Sequence, residues 1–174
     1  MWQYALIAFA YLFSLSSTSQ ETIEKTLQRF NTGSIPYITI DELKQGSDFI
    51  LLDTRKKEEF QVSHLEEAIW VGFQRFDPKK IQKEIPDTST SLVVYCSIGV
   101  RSEEIGERLQ KAGYTNIKNL YGGIFEWKNQ GNTVVDSTRQ PTERIHAFSK
   151  HWGKLLTKGD KIYSLKKEKF EIQH

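Results

Sequence analysis

Cys96 is the only cysteine in a chain of 174 residues. No disulfide can form within the chain, and the thiol is either a packing residue or a reactive group. Ser97-Ile98-Gly99-Val100-Arg101-Ser102 follow it directly. The four residues between thiol and guanidinium are too few to wander, so the segment must curl tightly, with Gly99 supplying the permissive backbone conformation. Backbone N–H groups of residues 97 to 102 then converge on the sulfur, and Arg101 adds a full positive charge. Together they favour thiolate over thiol and cradle an anionic substrate or leaving group. The chemistry this pattern suits is that of an activated thiolate.

The neighbouring sequence supplies the elements that would hold such a loop. Leu92-Val93-Val94-Tyr95 is the clearest buried strand, and Glu103 to Ala112 carries Ile105, Leu109 and Ala112 on one helix face, ended by Gly113. Cys96 therefore lies between a strand end and a helix start, whose dipole adds partial positive charge. Further β-rich runs stand at Tyr37 to Ile40, Phe49 to Leu52, Ile69 to Val71 and Ile117 to Leu120. Between them lie helix-prone stretches: one opening at Asp41 and capped by Thr39 or Asp41, then 56 to 62, Pro78 to Lys83, and Gly123 to Asn129. Glu21 to Gly33 reads as a lead-in helix carrying Ile23, Leu27 and Phe30. This alternation predicts an α/β domain with a mainly parallel sheet, in which reactive groups gather at the carboxyl ends of the strands.

The two ends of the chain read differently from its middle. Trp2 to Phe13 is almost wholly apolar, is followed by Ser14, Ser16, Ser17, Thr18 and Ser19, and precedes the first charged side chain, Glu21. Residues 1–19 are accordingly expected to be a signal peptide cut between Ser16 and Glu21, which predicts export to the periplasm or another extracytoplasmic space. No Lys or Arg precedes the apolar run; if it stays uncleaved, it is the chain's one expected contact with a membrane. At the other end, residues 139 to 174 hold nine Lys/Arg and four Asp/Glu, leaving 15 basic and 18 acidic residues elsewhere. That basic tail is read as a solvated face, and no nucleic-acid partner is expected. Thr133-Val134-Val135 suggests an added edge strand. Ile145, Phe148, Trp152, Leu155 and Leu156 fall on one face of a predicted amphipathic helix that packs on the domain.

Four blocks, in order, resemble the rhodanese family of sulfurtransferases. Cys96-Ser97-Ile98-Gly99-Val100-Arg101-Ser102 matches that family's Cys-x-x-Gly-x-Arg-Ser/Thr active loop. Asp53-Thr54-Arg55 with Glu58, Glu59 and Phe60 is similar to its Asp-x-Arg...Glu-Phe block, and His64 with Ala68 to its Gly-His-Ile-Pro-Gly-Ala block. Gly122-Gly123-Ile124-Phe125-Glu126-Trp127 resembles its Gly-Gly-x-x-x-Trp terminus. Ser63, Glu66, Glu67 and Trp70 depart from the family's pattern around His64, which touches local loop shape more than chemistry.

The resemblance spans about Tyr37 to Gly131. It implies a three-layer rhodanese-like domain over residues 35–132, built on about five mainly parallel strands flanked by helices. Residues 20–34 would then be a helical lead-in, and 133–174 an extension with the amphipathic helix and basic tail. It implies that Cys96 takes a sulfane sulfur as a persulfide and passes it to cyanide or a thiol. Ser97, Ile98, Gly99, Val100, Arg101 and Ser102 would hold the persulfide and the anionic donor. Asp53, Arg55 and His64 would give structural support, and Gly122, Gly123 and Trp127 would serve as turn and core. No metal or organic cofactor is implied, and no His/Cys/acidic cluster suggests one. Two alternatives stay open: a sulfur-carrying or binding module with little turnover, and a phosphatase or arsenate reductase. The latter group places five residues between cysteine and arginine, where this chain has four.

Overall fold

A computed structural model describes residues 21–46 and 48–164. The expected signal peptide and the Lys166–Lys169 run lie outside the described residues. Five strands, β1 (Tyr37–Ile38), β2 (Ile50–Asp53), β3 (Ile69–Trp70), β4 (Leu92–Tyr95) and β5 (Ile117–Leu120), form one parallel sheet in the order β1-β5-β4-β2-β3. All four residues of the central β4 are buried. Their alternation feeds two cores: Val93 and Tyr95 join Leu120, Ile124 and Phe125 on one side, while Leu92 and Val94 join Ile81, Ile105 and Leu109 on the other. Burial on both faces explains why the strand reads as a continuous apolar run rather than an alternating one.

Helices cover both faces, completing the three layers: α1 (Ile23–Phe30), α2 (Ile40–Gln45), α3 (Lys57–Val62), α4 (Pro78–Glu84), α5 (Val100–Lys111) and α6 (Gly123–Asn129). The start of α2 is settled by Thr39, whose hydroxyl accepts from the Glu42 amide at 3.2 Å while Glu42 accepts from the Thr39 amide at 2.8 Å. Helix α5 starts at Val100, three residues earlier than its apolar periodicity suggested. Gly99 at φ +108° makes the earlier start possible and puts Arg101 inside the first turn.

The expected amphipathic helix over 145 to 156 does not form. Instead β8 (Arg144–His146) pairs in parallel with β9 (Asp160–Ile162), and a single 3-10 turn runs from Trp152 to Leu155. Phe148, at φ +62°, breaks any helix through this stretch. Part of the expected packing against the domain is present: Ile145, Leu155 and Leu156, with Ala147, are buried in the same core as Val93 and Tyr95, whereas Phe148 is exposed and Trp152 half-buried. Each of Ile145, Leu155 and Leu156 contributes roughly 1.5–3 kcal/mol by leaving water. Val134–Val135 (β6) pairs antiparallel with Pro141–Thr142 (β7) in a separate ribbon rather than edging the main sheet, and Val135 also bridges to His64.

Candidate active site

Cys96 leaves the carboxyl end of β4, and the chain turns at once into α5. The Gly99 amide donates to Cys96 Sγ at 3.2 Å. Gly99 is fixed in that pose by its own carbonyl, which accepts from Asn119 Nδ2 at 2.8 Å and from Asn31 Nδ2 at 2.9 Å. Ser102 favours the charged form of the sulfur, and its hydroxyl donates to Asn119 Oδ1 at 2.8 Å. The loop is held from behind by α6, where the Ile124 and Phe125 amides donate to the carbonyls of Cys96 and Ser97 at 3.0 Å each. Gly123 must be glycine for that approach, because a Cβ would lie 2.3 Å from the Cys96 carbonyl oxygen.

Burial opposes charge on Cys96, but the Arg101 cation, the Ser102 hydroxyl and amide and the Gly99 amide outweigh it and hold the thiol below its ordinary range. The thiolate should therefore form at lower pH than in a free cysteine. We expect alkylation of Cys96 by iodoacetamide to rise with a midpoint below the ~8.5 of an unperturbed thiol, and Arg101→Met to move the midpoint upward. A wild-type midpoint at or above the free value would contradict this electrostatic account.

Arg101 is itself held by Glu59: Nη1 meets Oε2 at 2.8 Å and Nη2 meets Oε1 at 2.9 Å, with Nη2 also 3.0 Å from Ser97 Oγ. The Glu59 side chain is fully buried and also accepts from the Lys56 amide at 3.0 Å at the start of α3. Burial pushes its carboxyl up, but the Arg101 hydrogen bonds and charge, with Arg55 beyond, bring it below the usual carboxylate range. A lowered folded value means that the pair stabilises the protein above the unfolded pKa of about 4.3 and stops doing so as pH falls through the folded value. Glu59→Gln should cost about 2–3 kcal/mol at pH 7, below the range for a wholly buried pair because part of Arg101 reaches solvent. Urea midpoints of mutant and wild type should converge as the pH is lowered; a constant gap would contradict the linkage.

Cys96 is 1% exposed and lies on the floor of a cavity of about 220 Å³. Ser97, Ile98, Val100 and Arg101 line it from the loop, and Phe30, Phe148 and Trp152 wall its mouth. Gly99 and Ser102 sit beneath the sulfur rather than in the lining. Two cations lie over the Phe148 ring, Arg101 Cζ 5.1 Å and Lys56 Nζ 5.7 Å from its centroid. Its amide donates to His146 Nδ1 at 3.1 Å. Burial keeps His146 neutral, the state in which that nitrogen can accept.

Asp53, Arg55 and His64 do not line the cavity. Asp53 and Arg55 are fully buried and joined by Arg55 Nε at 3.0 Å from Oδ1 and Nη2 at 2.6 Å from Oδ2. Nη2 also donates to the Ser63 carbonyl at 2.7 Å, so the pair ties the end of β2 to the end of α3. His64 stacks on Phe60 with centroids 3.8 Å apart, and its Nδ1 lies 3.0 Å from the Phe60 carbonyl. Gly122 and Gly123 form the turn into α6, and the Trp127 indole donates to the Thr133 carbonyl at 2.7 Å. Among the described residues no group of His, Cys, Asp and Glu is arranged to hold a metal ion.

Sequence reasoning did not find Asn119, Asn31 or the aromatic mouth, and placed Glu59 only in a block without a role. Asn119 did leave a signal: it shares the strand parity of the buried Ile117, and a polar side chain on the inward side of a buried strand needs a partner.

A family model for the rhodanese-like domain matches residues 39–130. The fold around a loop-borne cysteine at the end of a central parallel strand is the one that family defines, and the chain belongs to it. An uncharacterised protein of Synechocystis is 28% identical over 121 residues, 70% of this chain and 66% of that one. The adenylyltransferase and sulfurtransferase UBA4 of Candida albicans is 34% identical over 93 residues, 49% of this chain and 21% of its own length. This chain thus spans less than two thirds of either relative. A crystal structure of thiosulfate sulfurtransferase from Pseudomonas aeruginosa superposes with a TM-score of 0.54 at 22% identity, covering 70% of this chain and 23% of that one, which is a likeness of fold.

Proposed function

We propose that the protein is a sulfurtransferase that carries sulfane sulfur on Cys96. The observation that carries this reading is the Cys96 sulfur on the floor of a cavity, met by the Gly99 amide at 3.2 Å, with Arg101 and Ser102 favouring its charged form. In the first step the thiolate attacks the outer sulfur of a donor. An Sγ–S bond forms, the donor's S–S bond breaks, and its electron pair leaves on the departing sulfite or thiolate. The persulfide anion then rests against the loop amides, which stabilise charge one atom further out than in the resting thiolate. In the second step cyanide or a thiolate takes the outer sulfur and returns the electron pair to Sγ. Neither step requires an outside oxidant or a cofactor. No second cysteine is present in the 174 residues, so an external acceptor must discharge the persulfide.

Support comes from the family, from a relative named as an adenylyltransferase and sulfurtransferase, and from the four-residue spacing to Arg101, which leaves a narrower cradle than phosphate chemistry uses. We place this activity outside the cytoplasm on the strength of the apolar segment at 2–13. The test is thiocyanate production from a sulfane donor and cyanide, with an aryl phosphate offered in parallel. Thiocyanate without phosphate release is the expected result, and phosphate release without thiocyanate would overturn the reading.

A further inference from the structure

The walls of the cavity point to a particular class of donor, an inference that rests on the sulfurtransferase reading. Inorganic thiosulfate is a compact dianion and is best held by unpaired cationic groups. This cavity offers few. Arg101 is the one basic side chain in its lining, and both terminal nitrogens already face Glu59, so the pair is neutral as a unit. Its cation supports the adjacent thiolate, and because Nη2 is engaged by both Glu59 and Ser97 Oγ, neither two-nitrogen fork of the guanidinium is free to grip a second anion. Lys56 lies against the Phe148 ring but not in the lining.

The remaining walls are apolar. Phe30 from α1 meets Trp152 edge-on at 6.1 Å between centroids, and Phe148 faces the same opening from the β8 side. Ile98 and Val100 complete the sides between this mouth and Cys96. Phe30 and Phe148 are 49% and 42% exposed, among the four exposed large hydrophobic residues of the described chain. Solvent-facing aromatic surface concentrated around a reactive sulfur marks a ligand contact more than a packing remnant. Phe148 adds a second sign: a bulky side chain in the left-handed backbone region is held there against its preference, by its amide bond to His146 and by cations on its ring.

We propose that the donor is an organic sulfane compound, a hydropersulfide or thiosulfonate whose carbon group is apolar, and that Phe30, Phe148 and Trp152 hold that group. For a hydropersulfide, the Cys96 thiolate bonds to the terminal sulfur, the donor's S–S bond breaks, the electron pair leaves on the carbon-bound sulfur as a thiolate, and the proton stays on the transferred sulfur. For a thiosulfonate the leaving group is a sulfinate. Both steps balance without another reactant.

Benzenethiosulfonate, methanethiosulfonate and thiosulfate separate the terms. The two thiosulfonates share charge and leaving-group type and differ in the apolar group alone. The kcat/KM of the full chain, with cyanide as acceptor, should be about 10-fold or more higher for the benzene than for the methane compound, the scale on which an apolar pocket discriminates. Thiosulfate should be the poorest of the three. Phe148→Ala and, independently, Phe30→Ala should each lower the benzene-to-methane ratio several-fold, with circular dichroism establishing that the variants fold. The exposed Phe30 side chain is the safer truncation. A ratio near one, a ratio unchanged in both variants, or thiosulfate as the fastest donor would overturn the donor class while leaving sulfur transfer standing. Failure of all three compounds to load Cys96 would instead overturn the sulfurtransferase reading on which this inference rests.

Discussion

Cys96→Ser is expected to abolish sulfur transfer, lowering thiocyanate formation by at least about a thousandfold, because no other group in the chain can carry the sulfur covalently. An alkoxide at this position is far less accessible than a thiolate, and oxygen cannot form the persulfide on which the second step acts. The substitution removes one polarisable atom from a site already provided with hydrogen-bond donors, so the fold should hold: the Gly99 amide at 3.2 Å retains an acceptor. Steady-state transfer to cyanide and the urea midpoint, measured on the same preparation, separate the two effects. Lost transfer with a midpoint within about 1 kcal/mol of wild type is the expected pair of results. Residual transfer above a few per cent would place the carrier elsewhere.

The second large effect concerns stability. Asp53→Ala should destabilise the protein by about 3–5 kcal/mol, since it strands the fully buried Arg55 guanidinium without its counter-charge. Arg55 has no easy escape: its side chain is wholly buried, one terminal nitrogen lacks a hydrogen-bond partner even in the wild type, and the guanidinium lies 5.8 Å from the Tyr95 ring centroid. Burial alone would weaken the charge, yet Asp53 more than offsets it and holds Arg55 firmly cationic. Replacing both residues by apolar ones, as in Asp53→Leu with Arg55→Met, should recover a large part of the loss, because the cost lies in the unpaired charge rather than in the missing contact. Urea unfolding of the two single variants and the double variant measures this. A single variant within 1 kcal/mol of wild type would show that the pair is not the brace that its burial implies.

These effects bear on how much was legible in the chain itself. Cys96, its loop and its supporting strand are local: four consecutive apolar residues, a glycine and an arginine at short spacing express their geometry within a dozen positions. What positions Arg101 is not local. Glu59 stands 42 residues away in sequence and leaves no periodic trace, while Asn119, which holds Gly99 from 20 residues away, shows only through its place on the inward side of a buried strand. The five-stranded parallel sheet followed from apolar runs alternating with helical faces. The stretch from Ile145 to Leu156 misled because its apolar spacing suits a helix, while the backbone at Phe148 reverses hand and the buried residues come from a strand and a short turn. A residue's backbone sign at such a point is imposed by tertiary contacts, here the His146 bond and the stacked cations. The aromatic mouth was hidden for a related reason: Phe30 and Trp152 come from opposite ends of the chain, on either side of the family's own segment.

The central claim is that Cys96 accepts and carries one sulfane sulfur. Intact-mass measurement of the full chain after exposure to a sulfane donor and removal of excess reagent tests it most directly. The account predicts a gain of one sulfur atom, mapped to the peptide containing Cys96 and reversed by cyanide with release of thiocyanate. An unchanged mass, or added sulfur that survives Cys96→Ser, would contradict it.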